Sequence, residues 1–292
     1  MKRQPKRRMA LGVQHALRIT AGFFAVLLCL GSDVPQGMAQ QAAPPARTIQ
    51  ALIVTGMDLH NWKATAPVVA QELEKDPRIK TTIMQDPHAL APYRPGTGLA
   101  STPLDKYDVI VLHFMNWKVP APGEAARENL RKSVEGGKGL VLIHFACGAW
   151  QDWPEFRNLA GRVWDPKLRA HDPRGPFRVD IVNREHPITK GLESFETEDE
   201  LYTCLAGDRP IQVLATAKSK VDGKDYPMAF CFEYGPSTML GAALSLSKGG
   251  KGRVFHCVLG HDVKALANPP VAELFRRGTA WAAGQAPVAE KR

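Results

Sequence analysis

Four short stretches constrain this chain more than anything else in it. Residues 49–55, 108–114 (DVIVLHF), 140–145 and 253–259 (RVFHCVL) are apolar almost throughout. A strand with one wet face alternates polar and apolar side chains, so strands apolar on both faces must be covered on both. Helical spacing fills the gaps between them. Residues 66–75 read as a helix with Thr65 as its cap and Asp76-Pro77 as its stop. Residues 122–135 read as a second, closed by Gly136-Gly137. A short strand at 80–84, a Pro/Gly-rich loop at 87–103 and a short helix from Pro154 complete the rhythm. Strands alternating with helices predict a mainly parallel sheet between two helical layers.

After residue 175 the rhythm changes. Strand-like pieces at 177–182, 211–217 and 228–234 follow one another with turns and no helices between them. This predicts an antiparallel extension inserted before the last buried strand, with 269–283 as the closing helix. The fold class is α/β, a flavodoxin-like three-layer sandwich, in a single domain over residues 48–284. Residues 40–47 (QQAAPPAR) read as a linker and 285–292 as a polar tail.

The net charge of +9 does not mark a nucleic-acid binder. Lys2, Arg3, Lys6, Arg7, Arg8 and Arg18 all precede residue 40, against Asp33 alone. No basic stripe is left in the remainder. The apolar run behind those charges, ITAGFFAVLLCL at 19–30, has 12 residues, short of the ~20 that span a bilayer. Gly37-Met38-Ala39 then fits a small-x-small cleavage site. Residues 1–39 therefore read as a secretory signal peptide, with an uncleaved anchor as the alternative. The expected location is periplasmic or secreted, with no stable membrane span after cleavage. Cys147, Cys204, Cys231 and Cys257 remain, spaced neither as a disulfide framework nor as a CxxC zinc site. Cys231 and Cys257 sit inside apolar runs, where a thiol acts as a small hydrophobe.

Parallel sheets bind ligands beyond the carboxyl ends of their strands. His60, His113, His144 and His261 lie at or just past such ends. One histidine there is usually a hydrogen-bonded structural residue, and His256, inside its strand, reads that way; four converging predict a site. Asn-Trp-Lys occurs at 61–63 and again at 116–118, each just beyond a strand end. Trp62, Trp117, Trp150, Trp153 and Trp164 all fall in the expected rim loops. An indole offers an apolar face and one N–H donor, which suits a sugar ring, although the same residues could simply cover the sheet. Imidazole near pH 7 serves as acid, base or metal ligand. His60, His144 and His261 would form a metal set if a carboxylate joined them, but no local signature such as HExxH is present. No cofactor is predicted; a divalent metal is the one possible addition.

Carboxylates come from the inserted part, where FETEDELYT at 195–203 packs four acids into five residues. A charge run is usually a solvated face, and Glu200, beside Leu201-Tyr202, is the member expected to turn inward. Cys147 raises a different possibility, a nucleophile just past a strand with His144 or His171 as its base. The run Phe145-Ala146-Cys147-Gly148-Ala149 lacks the strict elbow pattern.

Taken in order, the pieces resemble the ThuA-like (trehalose-utilisation) family of the class I glutamine amidotransferase-like superfamily. They are Thr55-Gly56 with His60-Asn61-Trp62; Tyr107-Asp108-Val109-Ile110-Val111; GGKGLV from 136 leading to His144; HPITKGL from 186; Asp199-Glu200-Leu201-Tyr202; and Arg253-Val254-Phe255 leading to Leu259-Gly260-His261. The resemblance covers roughly residues 48–284. It implies a flavodoxin-like sandwich in which His144 stands where the amidotransferase cysteine would be. It also implies a place in carbohydrate catabolism, some members being tied to 3-keto disaccharides. The pattern carries over to His60, His144, His186, Glu200 and His261. His171 matches a further His-Pro position only with Asp172 intervening, and Cys147 is not part of the pattern.

The expected function is an exported enzyme acting on a sugar or an oxidised (3-keto) glycoside by acid–base chemistry. His144, His60, Glu200 and His261 form the expected catalytic set. Trp62 and Trp117 form the binding platform, with His113, His186 and Trp150 as further substrate contacts. The alternatives are a non-catalytic carbohydrate-binding protein and a cysteine hydrolase using Cys147. The expected partner is a small carbohydrate, and a homo-oligomer is compatible with this reading.

Overall fold

A computed structural model describes residues 47–57, 59–93, 95, 101–235 and 251–289. The expected leader, all of the linker but Arg47, and the last three residues of the tail lie outside these. In chain order the described elements are β1 (Ile49–Met57), α1 (Trp62–Glu74), β2 (Ile79–Met84), β3 (Val109–Met115), α2 (Glu124–Glu135), β4 (Gly139–Ile143), α3 (Pro154–Ala160), β5 (Val163–Trp164), β6 (Gly175–Ile181), β7 (Phe195–Asp199), β8 (Leu205–Ala206), β9 (Gln212–Lys218), β10 (Asp225–Tyr234), β11 (Gly252–Cys257), α4 (Val263–Leu266) and α5 (Pro269–Ala282).

Nine of the strands form one sheet in the order β2-β1-β3-β4-β11-β10-β9-β6-β7, and β5 pairs with β8 separately. The first five run parallel, in the flavodoxin-like order with its switch point between β1 and β3. From β11 onward each neighbour reverses: β10, β9, β6 and β7 pair antiparallel in turn. Four reversals return β7 to the direction of the parallel strands and leave β6 opposed to them. This alternation decides which loops reach which rim.

The doubly apolar strands are explained by two cores. In β1, Ile49, Ala51 and Ile53 face one core with Val69 and Leu73 of α1 and Leu274 and Phe275 of α5. Leu52 and Val54 face the other, with Ala126 and Leu130 of α2 and Phe156 and Leu159 of α3. Contact on the first face is close: a Cβ on Gly278 of α5 would lie 2.1 Å from the Phe255 ring of β11. Strand β6 alternates instead, burying Phe177, Val179 and Ile181 and presenting Arg178 to solvent, as a sheet wet on one side requires.

Two expectations are corrected locally. Helix α1 begins at Trp62, four residues before the expected start, and Thr65 lies inside it, its hydroxyl donating to the Asn61 carbonyl (3.1 Å). A start at 66 would put Pro67 in the first turn, but it occupies the second and forgoes one ladder bond there. Strand β4 ends at Ile143, so His144 opens a 3-10 turn, His144–Gly148, instead of closing the strand. Cys147, Cys204, Cys231 and Cys257 are all free and buried, in keeping with spacing that is not that of a disulfide framework. Among the described residues no helix is long and apolar enough to cross a membrane.

Candidate active site

The end of β1 turns sharply, with Gly56, Met57, Leu59 and His60 all at positive φ. His60 (φ 52°) and His144 (φ 45°) both hold the left-handed backbone conformation that side-chain-bearing residues resist. The turn lays the His60 ring on Phe145 at 4.2 Å, nearly parallel. The 3-10 turn after β4 buries His144 completely. Its Nδ1 lies 2.7 Å from the Val258 carbonyl beyond β11. A carbonyl only accepts, so Nδ1 carries the hydrogen and Nε2 of the neutral ring carries a lone pair. The Tyr202 hydroxyl donates to that Nε2 at 3.0 Å.

The carboxylate comes from the extension. Because β7 runs with the parallel strands, its end delivers Asp199 and Glu200 to the same rim as β1, β4 and β11. Glu200 Oε2 lies 3.1 Å from His261 Nδ1 and 3.5 Å from His144 Nε2. His144 Nε2 and His261 Nδ1 are 3.2 Å apart. The three imidazole centroids form an equilateral triangle 5.2 Å on each side. One donor atom from each of His60, His144, Glu200 and His261 falls within 4.8 Å of every other, so these four could hold a metal ion.

Burial works against the charge of Glu200, but hydrogen bonds and proximity to His144 and His261 outweigh it and hold its pKa well below the usual carboxylate range. The hydrogen bond to Glu200 raises the pKa of His261 in return, against its own burial. His60 is pushed down to about 3, by burial first and then by the neighbouring His144 and His261. The rim thus pairs one ionised carboxylate with an imidazole inclined to hold a proton and another that stays neutral.

Asp199 fixes this arrangement without lining the pocket. Fully buried, it accepts from the Gly260 N–H (2.6 Å) and the His261 N–H (3.2 Å), tying the β7 end to the turn after β11. Gly260 takes φ 104°, which that turn requires. Treating the acid run as one solvated face hides Asp199. Strand alternation holds the signal: Phe195, Thr197 and Asp199 are buried while Glu196 is exposed.

Around the cluster lies a cavity of about 310 Å³, within the range of small-ligand sites. His60, Glu200 and His261 line it together with Tyr202, His171, Trp117 and Trp164. Trp117 is 43% exposed, yet its indole N–H is anchored to the Gly148 carbonyl at 2.9 Å. Trp164 meets it edge-on at 5.1 Å. His171 pairs with Tyr202 through an isolated β-bridge and brings Nε2 to 3.8 Å from Glu200. A larger depression of about 650 Å³, bordered by Tyr93, Lys132 and Lys138, has no histidine or thiol among its described lining residues.

Other expected site residues lie elsewhere. Trp62 opens α1 and does not line the cavity. Trp150 is a core residue, packed on Phe114 and Phe156 with its indole N–H donated to the Pro122 carbonyl. His113 lies one layer down, against Phe145 and hydrogen-bonded to Thr55. His186 follows β6, the strand that runs the other way, and so emerges at the opposite rim beside Trp281 and Cys231. Cys147 is fully buried and burial pushes its thiol far up, which leaves no accessible nucleophile for the hydrolase reading.

The sequence profile of the ThuA family, described as trehalose utilisation, matches residues 50–282. Among solved structures, a ThuA-like protein from Parabacteroides merdae ATCC 43184 superposes with a TM-score of 0.67 at 24% identity, covering 84% of this chain and 93% of its own. A second, from Bacteroides uniformis ATCC 8492, gives 0.58 at 20% identity over 85% and 98%. A glutamine amidotransferase from Thermotoga maritima gives 0.42 at 10% identity over 82% and 94%. No curated protein matches the chain significantly. With its profile match running from β1 to the end of α5, the chain belongs to the ThuA, or trehalose-utilisation, family.

Proposed function

We propose that this protein is an exported enzyme of carbohydrate metabolism. It acts on a sugar, or an oxidised (3-keto) sugar or glycoside, by acid–base chemistry at the His/Glu cluster. One observation carries the reading: three imidazoles and a carboxylate from four separate strand ends converge, and of these His60, His261 and Glu200 line a cavity that two indoles also line, with His144 buried behind them. Export is supported by the leader-like sequence at 1–39, and a sugar substrate by the family's description.

The roles follow from the environments. His261 and Glu200 form the proton-transferring pair, because each favours the charged form of the other and the imidazole holds its proton more firmly than a free one. His144, its tautomer fixed by Val258, presents Nε2 as an acceptor. His60 acts as a neutral imidazole. Trp117 and Trp164 offer apolar faces to the C–H side of a sugar ring, while His171 and Tyr202 reach its hydroxyls.

The test is product formation from a panel of sugars and 3-keto glycosides, read by NMR, for wild type and His144→Asn. Asparagine tolerates the left-handed backbone, so the variant keeps its fold. A loss of about a hundredfold or more is expected; unaltered turnover would remove the reading. The anchored indole pair also suits a binding protein without catalysis. Calorimetric sugar affinity with no product from the whole panel would decide for that second reading.

A further inference from the structure

The same four side chains meet a stricter requirement than proton transfer does. We propose that His60, His144, His261 and Glu200 bind one divalent first-row transition-metal ion, of the zinc, cobalt or manganese kind, at the wall of the cavity. The proposal deepens, and rests on, the reading of this cluster as a reacting centre.

Distances come first. With ligand bonds of about 2.1 Å, neighbouring donors lie about 3.0 Å apart at right angles and about 3.4 Å apart in a tetrahedron. The separations of 3.1, 3.2 and 3.5 Å among Glu200 Oε2, His261 Nδ1 and His144 Nε2 already match. The widest separation in the four-residue set, at most 4.8 Å, exceeds the tetrahedral value by no more than about 1.4 Å.

The outer contacts have the same character. Metal-bound histidine typically donates its second ring N–H to a carbonyl or carboxylate, which aims the other nitrogen at the ion. His144 makes that bond, from Nδ1 to Val258. Asp199 holds the backbone N–H groups of His261 and Glu200, so two of the ligands share one buried anchor. His60 Nδ1 is buried with no hydrogen-bond partner, an uncommon state for a polar atom, and one that an ion or its bound water resolves.

Donor chemistry narrows the ion. Three imidazole nitrogens and one carboxylate oxygen suit transition ions, whereas magnesium and calcium call for oxygen throughout. Since His60, Glu200 and His261 also face the cavity, the ion would keep one side open, as catalytic sites do and structural ones do not. A sugar hydroxyl, a keto oxygen or water would fill that side and be polarised there. The Tyr202 hydroxyl would then give up His144 Nε2 and become free to donate to the substrate.

The experiment strips the full-length protein with a chelator, reloads it separately with zinc, cobalt, manganese, magnesium and calcium, desalts it, and counts ions by mass spectrometry. The expected result is one zinc, cobalt or manganese ion per chain, no retained magnesium or calcium, and visible absorption from the cobalt form. Glu200→Gln and His261→Gln should weaken binding by more than the roughly tenfold that loss of an outer contact costs. His186→Ala, at the opposite rim, should bind as wild type does. The cobalt spectrum requires no variant, so a misfolded variant leaves the test intact. Binding well below one ion per chain, or full affinity in both ligand variants, overturns the proposal. Turnover that persists with the ion removed overturns it too while sparing the sugar enzyme. Stoichiometric binding lost in the ligand variants, with no turnover of any sugar, supports the metal site and removes the enzyme.

Discussion

His113 and His256 lie within β3 and β11, whereas His60, His144 and His261 stand just past the ends of β1, β4 and β11. The interior pair has almost nothing polar to hold. His113 meets Thr55 through Nδ1, His256 meets the Ala160 carbonyl, and each leaves Nε2 buried without a partner. Burial pushes His113 down to about 3 and His256 to about 4. At the rim, Glu200 reverses the outcome and raises His261. His60 falls between: at the rim, yet lying on Phe145 and pushed down with the interior pair. The difference lies in reach of a carboxylate, and β7 supplies it only because four strand reversals bring its end back to the rim.

The comparison breaks most visibly at the carboxylate. Glu200→Gln should cost turnover about a hundredfold or more; equal turnover by steady-state assay would detach the chemistry from the rim. Protonation separates the two groups next. Below the unfolded pKa of 6.5 the unfolded chain takes up protons that buried His113 and His256 refuse, so stability falls with falling pH. Between about pH 6.5 and 5 the loss should be about 2 kcal/mol for each interior histidine, read by urea titration. His261 has the opposite sign: its contribution is complete below 6.5 and disappears as pH rises through its raised folded pKa. A stability profile flat between about pH 5 and 6.5 would contradict the interior assignment.

Smaller effects test the edges. Trp117→Ala should raise KM about tenfold with little change in kcat, whereas Trp62→Ala should change neither, since Trp62 does not line the cavity. Cys147→Ala should leave turnover intact and cost about 1 kcal/mol of stability. Iodoacetamide should leave native Cys147 unlabelled, and labelling accompanied by inactivation would restore the thiol as a candidate.

The parallel half of the fold is legible in the sequence because its strands are apolar on both faces, a pattern that few architectures besides a doubly covered sheet produce. Its three rim imidazoles are legible for the same reason, being fixed by where those strands end. The antiparallel half is legible only as strands. Local pattern does not record direction, so His186 and Glu200 look equally placed, although β6 carries one to the far rim and β7 the other to the near one. Loop position alone does not sort the tryptophans. It cannot tell Trp150, which packs inward on Phe114, from Trp164, which turns toward Trp117.

The left-handed turns at His60 and His144 bear on how variants of this protein would be ranked. Relief of that conformation by glycine is worth roughly 1 kcal/mol at each position. That gain is smaller than what is lost with a fully buried ring that holds the Val258 carbonyl and the Tyr202 hydroxyl, so a library sorted by heat tolerance would keep histidine at 144 whatever it does there.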